Sequence, residues 1–545
     1  MKVSLQNIEE TYKQFDTDKN MIQFTRTKIS FIFMLASILF FGCKNEEDTI
    51  LATSEEIKTT LSNADIESGK NVRDFYNNRE YAAAWNNEEF RNSFLSELKK
   101  ADEEGLSSSN YQVEKLQNSL KKVNELNEKE RVKLELTLTE AFFDYAHDLY
   151  YGKTNPTKMY EIWGLQRKEI NFSEALNRAV ENNSITSVLE ELKPQTEIYK
   201  DLKKSLAEYR HKLEKEKSFQ KIAEGDAIEP GDKDPRIPEI AARLKQLGIL
   251  NEKYISQDSL YNEELQAAVK VFQKHKILAT DQIIGNSTIE QLNMGPQDRY
   301  NQILVNLERW RWFPRDFGSH YILINIPNYE LDVIENGKIV RVHNVIAGDK
   351  THHTPIFSDS IQYIVLNPQW HIPSSIASRE IIPSARKNSN YLSSRNIYVT
   401  NSEGKRIDPS KINWKNAESY SFTQGSGAGN ALGHVKIIYP NKYAIYLHDT
   451  PAKAIFEQNS RAESHGCVRV EDALKLAAYL LSDQKDWDME KIQETIASGK
   501  TVKIKVTQPV KVYHLYWTAW RENGESVFAN DVYNLDDGIY EALSR

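Results

Sequence analysis

Apolar residues recur at helical spacing through the N-terminal half of the chain. Leu138, Phe142, Tyr145 and Leu149, for example, lie three or four positions apart. Lysine, glutamate and asparagine fill many of the intervening positions, which is typical of amphipathic helices with one solvated face. The pattern predicts a helical scaffold domain over residues 44–228, in which we identify no chemistry.

A linker rich in Gly, Asp and Pro leads into a compact unit, residues 229–296. Its three helical patterns cover about 237–247, 262–276 and 286–293. Val269–Gln273 and Asp281–Gly285 resemble the corresponding segments of the small three-helix peptidoglycan-binding domain. The same apolar positions would also form the core of a plain three-helix spacer, so wall binding is an expectation from the resemblance.

The periodicity changes from helical to alternating at Tyr321. Two alternating runs flank Asn336-Gly337, a strong β-hairpin signal. Further strand candidates are 361–366, 434–439, 443–448 and 501–506. The sequence therefore predicts a multidomain α+β protein: a helical N-terminal domain, a three-helix unit and a β-rich domain over 297–545. Polar sequence over 374–432 predicts an inserted cap in that last domain.

Composition fits a folded protein without a nucleic-acid partner. Of the 545 residues, 40% are hydrophobic and 27% are charged. The formal net charge is −8 and the pI about 6.0. Because both signs are interspersed, the chain has no basic footprint for DNA or RNA.

The N-terminal 43 residues have the layout of an export signal. The apolar run 29–42 follows Arg26 and Lys28 and ends at Cys43, after which the chain turns polar. This resembles a bacterial lipoprotein signal, in which the cysteine is lipidated, although Phe40 replaces the usual Leu. The alternative is an uncleaved membrane anchor. Met1 and Met21 are both candidate starts, and either interpretation predicts a cell-envelope protein on the periplasmic side.

Cys467 and His448 are the candidate reactive pair. A cysteine attacks as thiolate, so it needs a base or a cation nearby. His448 ends a predicted strand, and Cys467 is predicted to precede a helix over 471–482, whose positive end would favour the thiolate. Backbone amides around Gly466 and Cys467 are candidates for an oxyanion hole.

Two other interpretations of these residues are open. A lone cysteine is usually a small buried hydrophobe and a lone histidine usually a surface or core residue. A zinc site of His448, His465 and Cys467 is the other alternative, but a fourth ligand and the usual metal spacings are missing.

The run Ser464–Arg469 (SHGCVR), with His448 placed 19 residues before Cys467, resembles the YkuD-type L,D-transpeptidase catalytic motif. Flanking segments resemble the large-form branch of that family: 306–312, 354–357, 367–370, 424–436 and 516–520.

This resemblance implies acyl transfer on peptidoglycan stem peptides, with Cys467 as nucleophile and His448 as base. His465 would shape the thiolate's surroundings, with Gly466 beside the substrate carbonyl. Candidate substrate-side residues, several of which would serve equally well as structural residues, are Ser464, Arg469, Tyr446, Trp370, Gln424 and Asn430. The resemblance implies no cofactor and no metal, and it implies inhibition by carbapenems. Lipid-modified Cys43 would anchor the protein to a membrane.

Two rival functions are open at the level of sequence. Water in place of an acceptor amine would make the same acyl-enzyme an L,D-carboxypeptidase. A non-catalytic wall-binding scaffold would use only the helical domain and the three-helix unit, and the Cys467–His448 pair speaks against it.

Overall fold

The computed structural model describes residues 50–62, 69–215, 220–255 and 258–545. Cys43 and the apolar run before it lie outside these ranges, so the predicted lipidation remains a prediction. Within the ranges, every helix is too short or too polar to cross a bilayer.

The N-terminal region is helical, as predicted. Its helices are α1 Ser54–Ser62, α2 Lys70–Asn78, α3 Glu88–Lys99, α4 Val113–Lys121, α5 Glu128–Tyr151, α6 Pro156–Met159, α7 Phe172–Glu181, α8 Ile185–Leu192 and α9 Glu197–Lys215. The central helix α5 begins with a capping box between Asn127 and Glu130, which satisfies two free amides. It ends at Gly152, whose φ of +83° favours glycine. Helices α1–α5, α7 and α8 share one apolar core.

The three-helix unit follows with its own core. Its helices are α10 Ile237–Gln246, α11 Glu263–His275 and α12 Asn286–Leu292, within a residue or two of the predicted bounds. The next helix, α13 Pro296–Trp312, packs against α9 and the β-rich domain. Leu202 and Leu206 of α9 accordingly belong to the core of the β-rich domain.

The remaining strands and helices build the β-rich domain and its insert. The strands are β1 Trp163–Gly164, β2 His320–Asn325, β3 Glu330–Glu335, β4 Lys338–Gly348, β5 Ile356–Leu366, β6 Trp370–His371, β7 Ile397–Thr400, β8 Arg406–Ile407, β9 Ser421–Gln424, β10 Val435–Ile438, β11 Leu447–His448, β12 Ala462–Ser464, β13 Val468–Val470, β14 Val502–Leu515, β15 Ala519–Glu522 and β16 Glu525–Phe528. The helices are α14 Ser374–Ile376, α15 Ile382–Lys387, α16 Tyr391–Ser394, α17 Ala473–Leu480, α18 Met489–Ala497 and α19 Asp536–Ser544.

The main sheet runs in the order β1-β5-β10-β11-β13-β4-β3-β2-β14. It closes on itself because β14 pairs with both β2 and β5. The predicted hairpin joins β3 and β4, and Asn336 and Gly337 take φ of +48° and +77°. Strand β1 comes from the N-terminal helical region and pairs in parallel with Ile356 and Phe357 of β5.

Two predicted strands have different bounds in the structure. The predicted strand 443–448 is reduced to Leu447–His448. The Asn441 side chain bonds to the backbone of Tyr439, Tyr443 and Ile445, which builds a local turn in place of a ladder. The strand predicted at 501–506 extends to Leu515, with a register shift between Lys505 and Val510.

The segment between β5 and β10 folds as a small insert, called the cap below. Strands β6, β9, β7 and β8 form its sheet in that order. Its core includes Ile381, Leu392, Val399 and Phe422. Although its sequence is rich in polar residues, this segment has an apolar core of its own. The cap is therefore a folded unit, and it is connected to the main sheet at both ends.

Candidate active site

Cys467 lies in the turn between β12 and β13. The Ser464 hydroxyl bonds to both sides of this turn, donating to the Cys467 carbonyl (2.5 Å) and accepting from the Gly466 amide (3.1 Å). Gly466 has a φ of +103°, and its carbonyl accepts from the Thr354 hydroxyl at 2.9 Å. The Gly466 amide already donates to the Ser464 hydroxyl within the turn. Of the two amides predicted to form an oxyanion hole, the Cys467 amide is therefore better suited than the Gly466 amide.

His448 lies on β11, next to the strand that follows Cys467. The ladder pairs His448 with Arg469 on β13 and with Lys436 on β10. The imidazole is buried, and its Nδ1 lies 2.6 Å from the carbonyl oxygen of Asp449. Burial, and next the positive charge of Arg469, lower its pKa to about 3. The imidazole is therefore neutral at physiological pH, with Nε2 as its proton acceptor.

The thiol of Cys467 is partly exposed and lies near the segment that leads into β11. Its Sγ is 3.8 Å from the Ala444 carbonyl oxygen. Burial raises the pKa of the Cys467 thiol, while hydrogen bonding with Tyr446 and the charges of Lys436 and Arg469 act in the opposite direction. The raised pKa leaves the thiol neutral, and the adjacent strands β11 and β13 bring its segment next to that of the neutral imidazole of His448. A neutral thiol and a neutral imidazole are the states that base-assisted attack requires.

The predicted helix dipole at Cys467 is wrong. Strand β13 follows the cysteine directly, and α17 begins only at Ala473. The apolar helical pattern begins only at Ala473, after Glu471 and Asp472. The cations that favour the thiolate are the side chains of Lys436 and Arg469.

His465 points to the cap. Its Nε2 lies 2.8 Å from Glu380 Oε1, and its ring centroid lies 4.9 Å from that of His352. In the described part of the chain, no three His, Cys, Asp or Glu side chains are grouped to hold a metal ion.

Three family models match the chain. Residues 70–206 match a scaffold domain, and residues 233–292 match a "putative peptidoglycan binding domain". Residues 319–511 match the YkuD model, described as the L,D-transpeptidase catalytic domain.

The chain contains a YkuD-type L,D-transpeptidase catalytic domain. Its match contains both Cys467 and His448, and a peptidoglycan-binding domain match precedes it.

A "putative L,D-transpeptidase" of Haemophilus influenzae is 33% identical over 241 residues. The match covers 44% of this chain, and the chain spans about half (48%) of that relative's length. Two solved L,D-transpeptidases, from Xylanimonas cellulosilytica and Stackebrandtia nassauensis, are 14% and 13% identical. These matches cover 55% and 56% of this chain and all of each solved chain, with TM-scores of 0.18 and 0.20.

Of the predicted substrate-side residues, Tyr446 contacts the thiol and Trp370 contacts Tyr446. Tyr446 is hydrogen-bonded to Cys467 and to Trp370, and burial raises its pKa above the usual value. The Lys436 Nζ lies 3.8 Å from the centre of the Tyr446 ring. The ring of Tyr446 therefore joins the thiol, a cation and the first strand of the cap.

Gln424, the last residue of β9, and Asn430, in the loop that follows, are both buried. The Gln424 amide bonds to backbone groups of Arg395, Gly429 and Ala431. Asn430 likewise bonds to the backbone of Gln424, Gly425 and Leu432. The hydrogen bonds of both side chains therefore stabilise the conformation of this loop of the transpeptidase domain.

Three residues outside the predicted set support the site. Asp449 binds Nδ1 of His448 through its carbonyl, Thr354 holds the turn at Gly466, and Lys436 faces Tyr446. Thr354 and Lys436 lie in segments that resemble the transpeptidase family. Asp449 acts through its backbone carbonyl, and such a role cannot be predicted from the type of residue at that position.

Proposed function

We propose that this protein is a cell-envelope L,D-transpeptidase that joins peptidoglycan stem peptides by 3-3 cross-links through a thioester on Cys467. The observation that carries the proposal is His448, oriented by the Asp449 carbonyl on the strand adjacent to β13. The family matches at 233–292 and 319–511 support peptidoglycan as the substrate.

In the first half-reaction, Cys467 Sγ attacks the carbonyl carbon that precedes the terminal D-residue of a donor stem. His448 Nε2 takes the thiol proton as the carbon–sulfur bond forms. The tetrahedral intermediate then collapses, and the imidazolium gives that proton to the departing amine. The terminal D-amino acid leaves, and the donor is held as a thioester. In this proposal, the Cys467 amide donates to the oxyanion.

In the second half-reaction, an amine of a neighbouring stem attacks the thioester carbonyl. His448 removes a proton from this amine and returns it to the sulfur as the carbon–sulfur bond breaks. The products are the cross-linked peptide and the free thiol. Attack by water instead would release the shortened stem, which is the carboxypeptidase alternative.

The surrounding residues would shape the donor groove. Tyr446 contacts the thiol and connects it to Trp370 of the cap, and His465 lies beside Glu380 of the cap. Arg469 and Lys436 supply positive charge beside sulfur as the thiolate leaves. Ser464 braces the turn, and Gln424 and Asn430 would act indirectly by holding their loop.

The test is mass spectrometry of muropeptides after incubation of purified protein with a tetrapeptide-stem substrate. Cys467→Ala should abolish dimer formation, and His448→Ala should slow it by about 10²–10⁴-fold. His275→Ala removes an exposed histidine of α11 and serves as the matched control. Normal cross-linking by Cys467→Ala would refute the nucleophile, and shortened monomers alone would favour the carboxypeptidase.

Two related expectations come with the proposal. A carbapenem should form one adduct, detected by intact-protein mass spectrometry and lost in Cys467→Ala. Lipid on Cys43 would hold the protein at a membrane face, since each buried methylene contributes about 0.8 kcal/mol. Cys43→Ser should then lose incorporation of labelled fatty acid, and unchanged labelling would contradict the anchor.

A further inference from the structure

Lys436, His448 and Arg469 form a row across three adjacent strands. Lys436 of β10 is the register partner of His448 of β11, and His448 is the register partner of Arg469 of β13. Side chains of directly paired residues project from the same face of a sheet. The next row projects from the opposite face and is fully buried in the core of the domain: Ile437, Leu447 and Val468. The row therefore lies on the active-site face, with one cation on each side of the base.

Lys436 is the cation of this row that has no carboxylate partner. Its side chain is half-buried, and within the described part of the chain its Nζ forms no ion pair and donates no hydrogen bond. It lies instead against the ring of Tyr446, 3.8 Å from the ring centre. Burial lowers the pKa of Lys436, and the negative charge of a Cys467 thiolate acts in the opposite direction. A partly desolvated cation without a counter-ion is costly, so this position favours an anionic group of the substrate.

Two carboxylates act on the other members of the row. Glu463 is exposed and acts on Arg469 through its charge, without forming an ion pair. Asp449 acts on His448, but its carboxylate already accepts from a backbone amide and pairs with a lysine ammonium. Within the described ranges, no carboxylate shifts the pKa of Lys436. Lys436 is therefore the member of the row best suited to bind a carboxylate from outside the chain.

The leaving residue of the proposed donor stem has one charged group. Its nitrogen belongs to the peptide bond that breaks, so only its carboxylate is ionised at neutral pH. When Cys467 Sγ reaches the carbonyl carbon, that carboxylate lies one residue beyond the reacting atom. The charge of Lys436 acts on both Cys467 and His448, so its ammonium is close enough to act on this carboxylate as well. A pair formed there would be charge-assisted and partly shielded from water.

We infer that Lys436 recognises the free carboxylate of the terminal D-residue of the donor and thereby restricts the reaction to the ends of stems. The inference rests on the proposed function and names the group of the stem that is selected. A stem with one further residue, or with an amidated end, has no carboxylate at this position. Binding also affects the base: the charges of Arg469 and Lys436 disfavour protonation of His448, and a bound carboxylate offsets them. Recognition of the carboxylate therefore favours transfer of the thiol proton to His448.

The test compares a disaccharide-tetrapeptide with its C-terminal amide and measures kcat/KM for cleavage of the terminal residue by the full chain. The wild-type chain should prefer the carboxylate by about 10- to 100-fold, as expected for a hydrogen bond to a charged group. Lys436→Met removes the charge, keeps an unbranched side chain over Tyr446, and should abolish this preference. A weaker stabilisation of the sulfur would lower kcat/KM for both substrates alike and so cancels in the ratio. Lys436→Arg keeps the charge and should keep most of the preference.

Lys503→Met is the matched control. Lys503 Nζ also lies 3.8 Å from the centre of a tyrosine ring, that of Tyr363. Val365 is the register partner of both Lys503 and Lys436, so the two lysines project from the same face of the sheet. Lys503 thus has the same charge and the same type of contact, two strands further from His448. The preference for the carboxylate should be unchanged in this variant, and an equal loss in both variants would overturn the inference.

A binding measurement separates this inference from the proposed function. The full chain carrying Cys467→Ala forms no thioester, and it should bind the carboxylate probe more tightly than the amide probe. Adding Lys436→Met should abolish that difference. If the wild-type chain cleaved neither substrate but the difference in binding depended on Lys436, only the proposed function would be contradicted. Equal affinity of the two probes for the Cys467→Ala chain, or a preference that survives Lys436→Met, would overturn the assignment of Lys436.

Discussion

The Nδ1 atom of His448 lies 2.6 Å from the carbonyl oxygen of Asp449. A carbonyl only accepts, so Nδ1 carries the proton and Nε2 the lone pair. Asp449 is itself fixed: its amide donates to the Val435 carbonyl, and its carboxylate accepts from the His434 amide and pairs with Lys453. The orientation of the base is therefore set by backbone groups of the sheet.

The rate of thioester formation should not fall as the pH is lowered through 6.5. The pKa of His448 is lowered to about 3, so the imidazole stays an unprotonated acceptor down to that pH. The pKa of Cys467 is raised, so thiolate accumulates only at alkaline pH. Release of the terminal D-residue should change little between pH 8 and pH 5, and alkylation by iodoacetamide should still rise above pH 9. Half-loss of release near pH 6.5 would contradict the assigned state of His448.

Gly433→Ala should impair His448 as a base, although the new methyl group would contact Asp449 and not His448. Gly433 has a φ of +58°, and a Cβ there would lie 2.6 Å from the Asp449 Cβ and overlap its carboxylate. Displacement of Asp449 would move its carbonyl oxygen. Because this oxygen orients the His448 ring through Nδ1, the ring would move as well. We expect a loss of tenfold or more in exchange rate, of the order of 1.4 kcal/mol.

Gly429→Ala is the matched control in the same loop, since a Cβ there meets nothing within 4 Å. It should keep normal exchange. Equal losses in both variants would mean that the loop acts through its general flexibility and not through Asp449.

Local signals in the sequence predicted the features that depend on local geometry. Asn336-Gly337 marked the β3–β4 hairpin because both residues must take positive φ there. The run around Cys467 and the upstream His448 marked the reactive pair, and adjacent strands hold both segments together.

Contacts between distant segments could not be predicted in this way. Thr354 bonds to Gly466 across 112 residues, and Tyr533 bonds to Thr354 across 179. The two-residue strand β1, which the helical region adds to the main sheet, has no periodicity to detect. The helix dipole expected at Cys467 is absent because the three-residue strand Val468–Val470 is too short to show a periodicity that distinguishes it from the start of a helix.

Glu380→Ala should have only a small effect on turnover. The His465 and Glu380 side chains are 40% and 49% exposed, although they lie 2.8 Å apart. Such a pair contributes about 1 kcal/mol at most, equivalent to about fivefold in rate. Glu418→Ala, an exposed glutamate elsewhere in the cap, is the matched control. A hundredfold loss specific to Glu380→Ala would show that catalysis depends on this contact of the cap with His465.

Gly164→Ala tests whether the helical region supports the active site. A Cβ at Gly164 would lie 2.6 Å from the Tyr443 hydroxyl and 2.7 Å from the Phe357 Cβ, and Tyr443 precedes Ala444, whose carbonyl faces the Cys467 thiol. Overpacking of this kind costs about 1–3 kcal/mol, so we expect a lower melting temperature and altered alkylation of the thiol. Gly538→Ala, with open space around it, should change neither. Adding Tyr443→Phe removes one of the two clashing atoms and should recover part of the loss. If Tyr443→Phe gave no recovery, or if Gly164→Ala had no effect at all, we would conclude that the helical region does not influence the reactive cysteine.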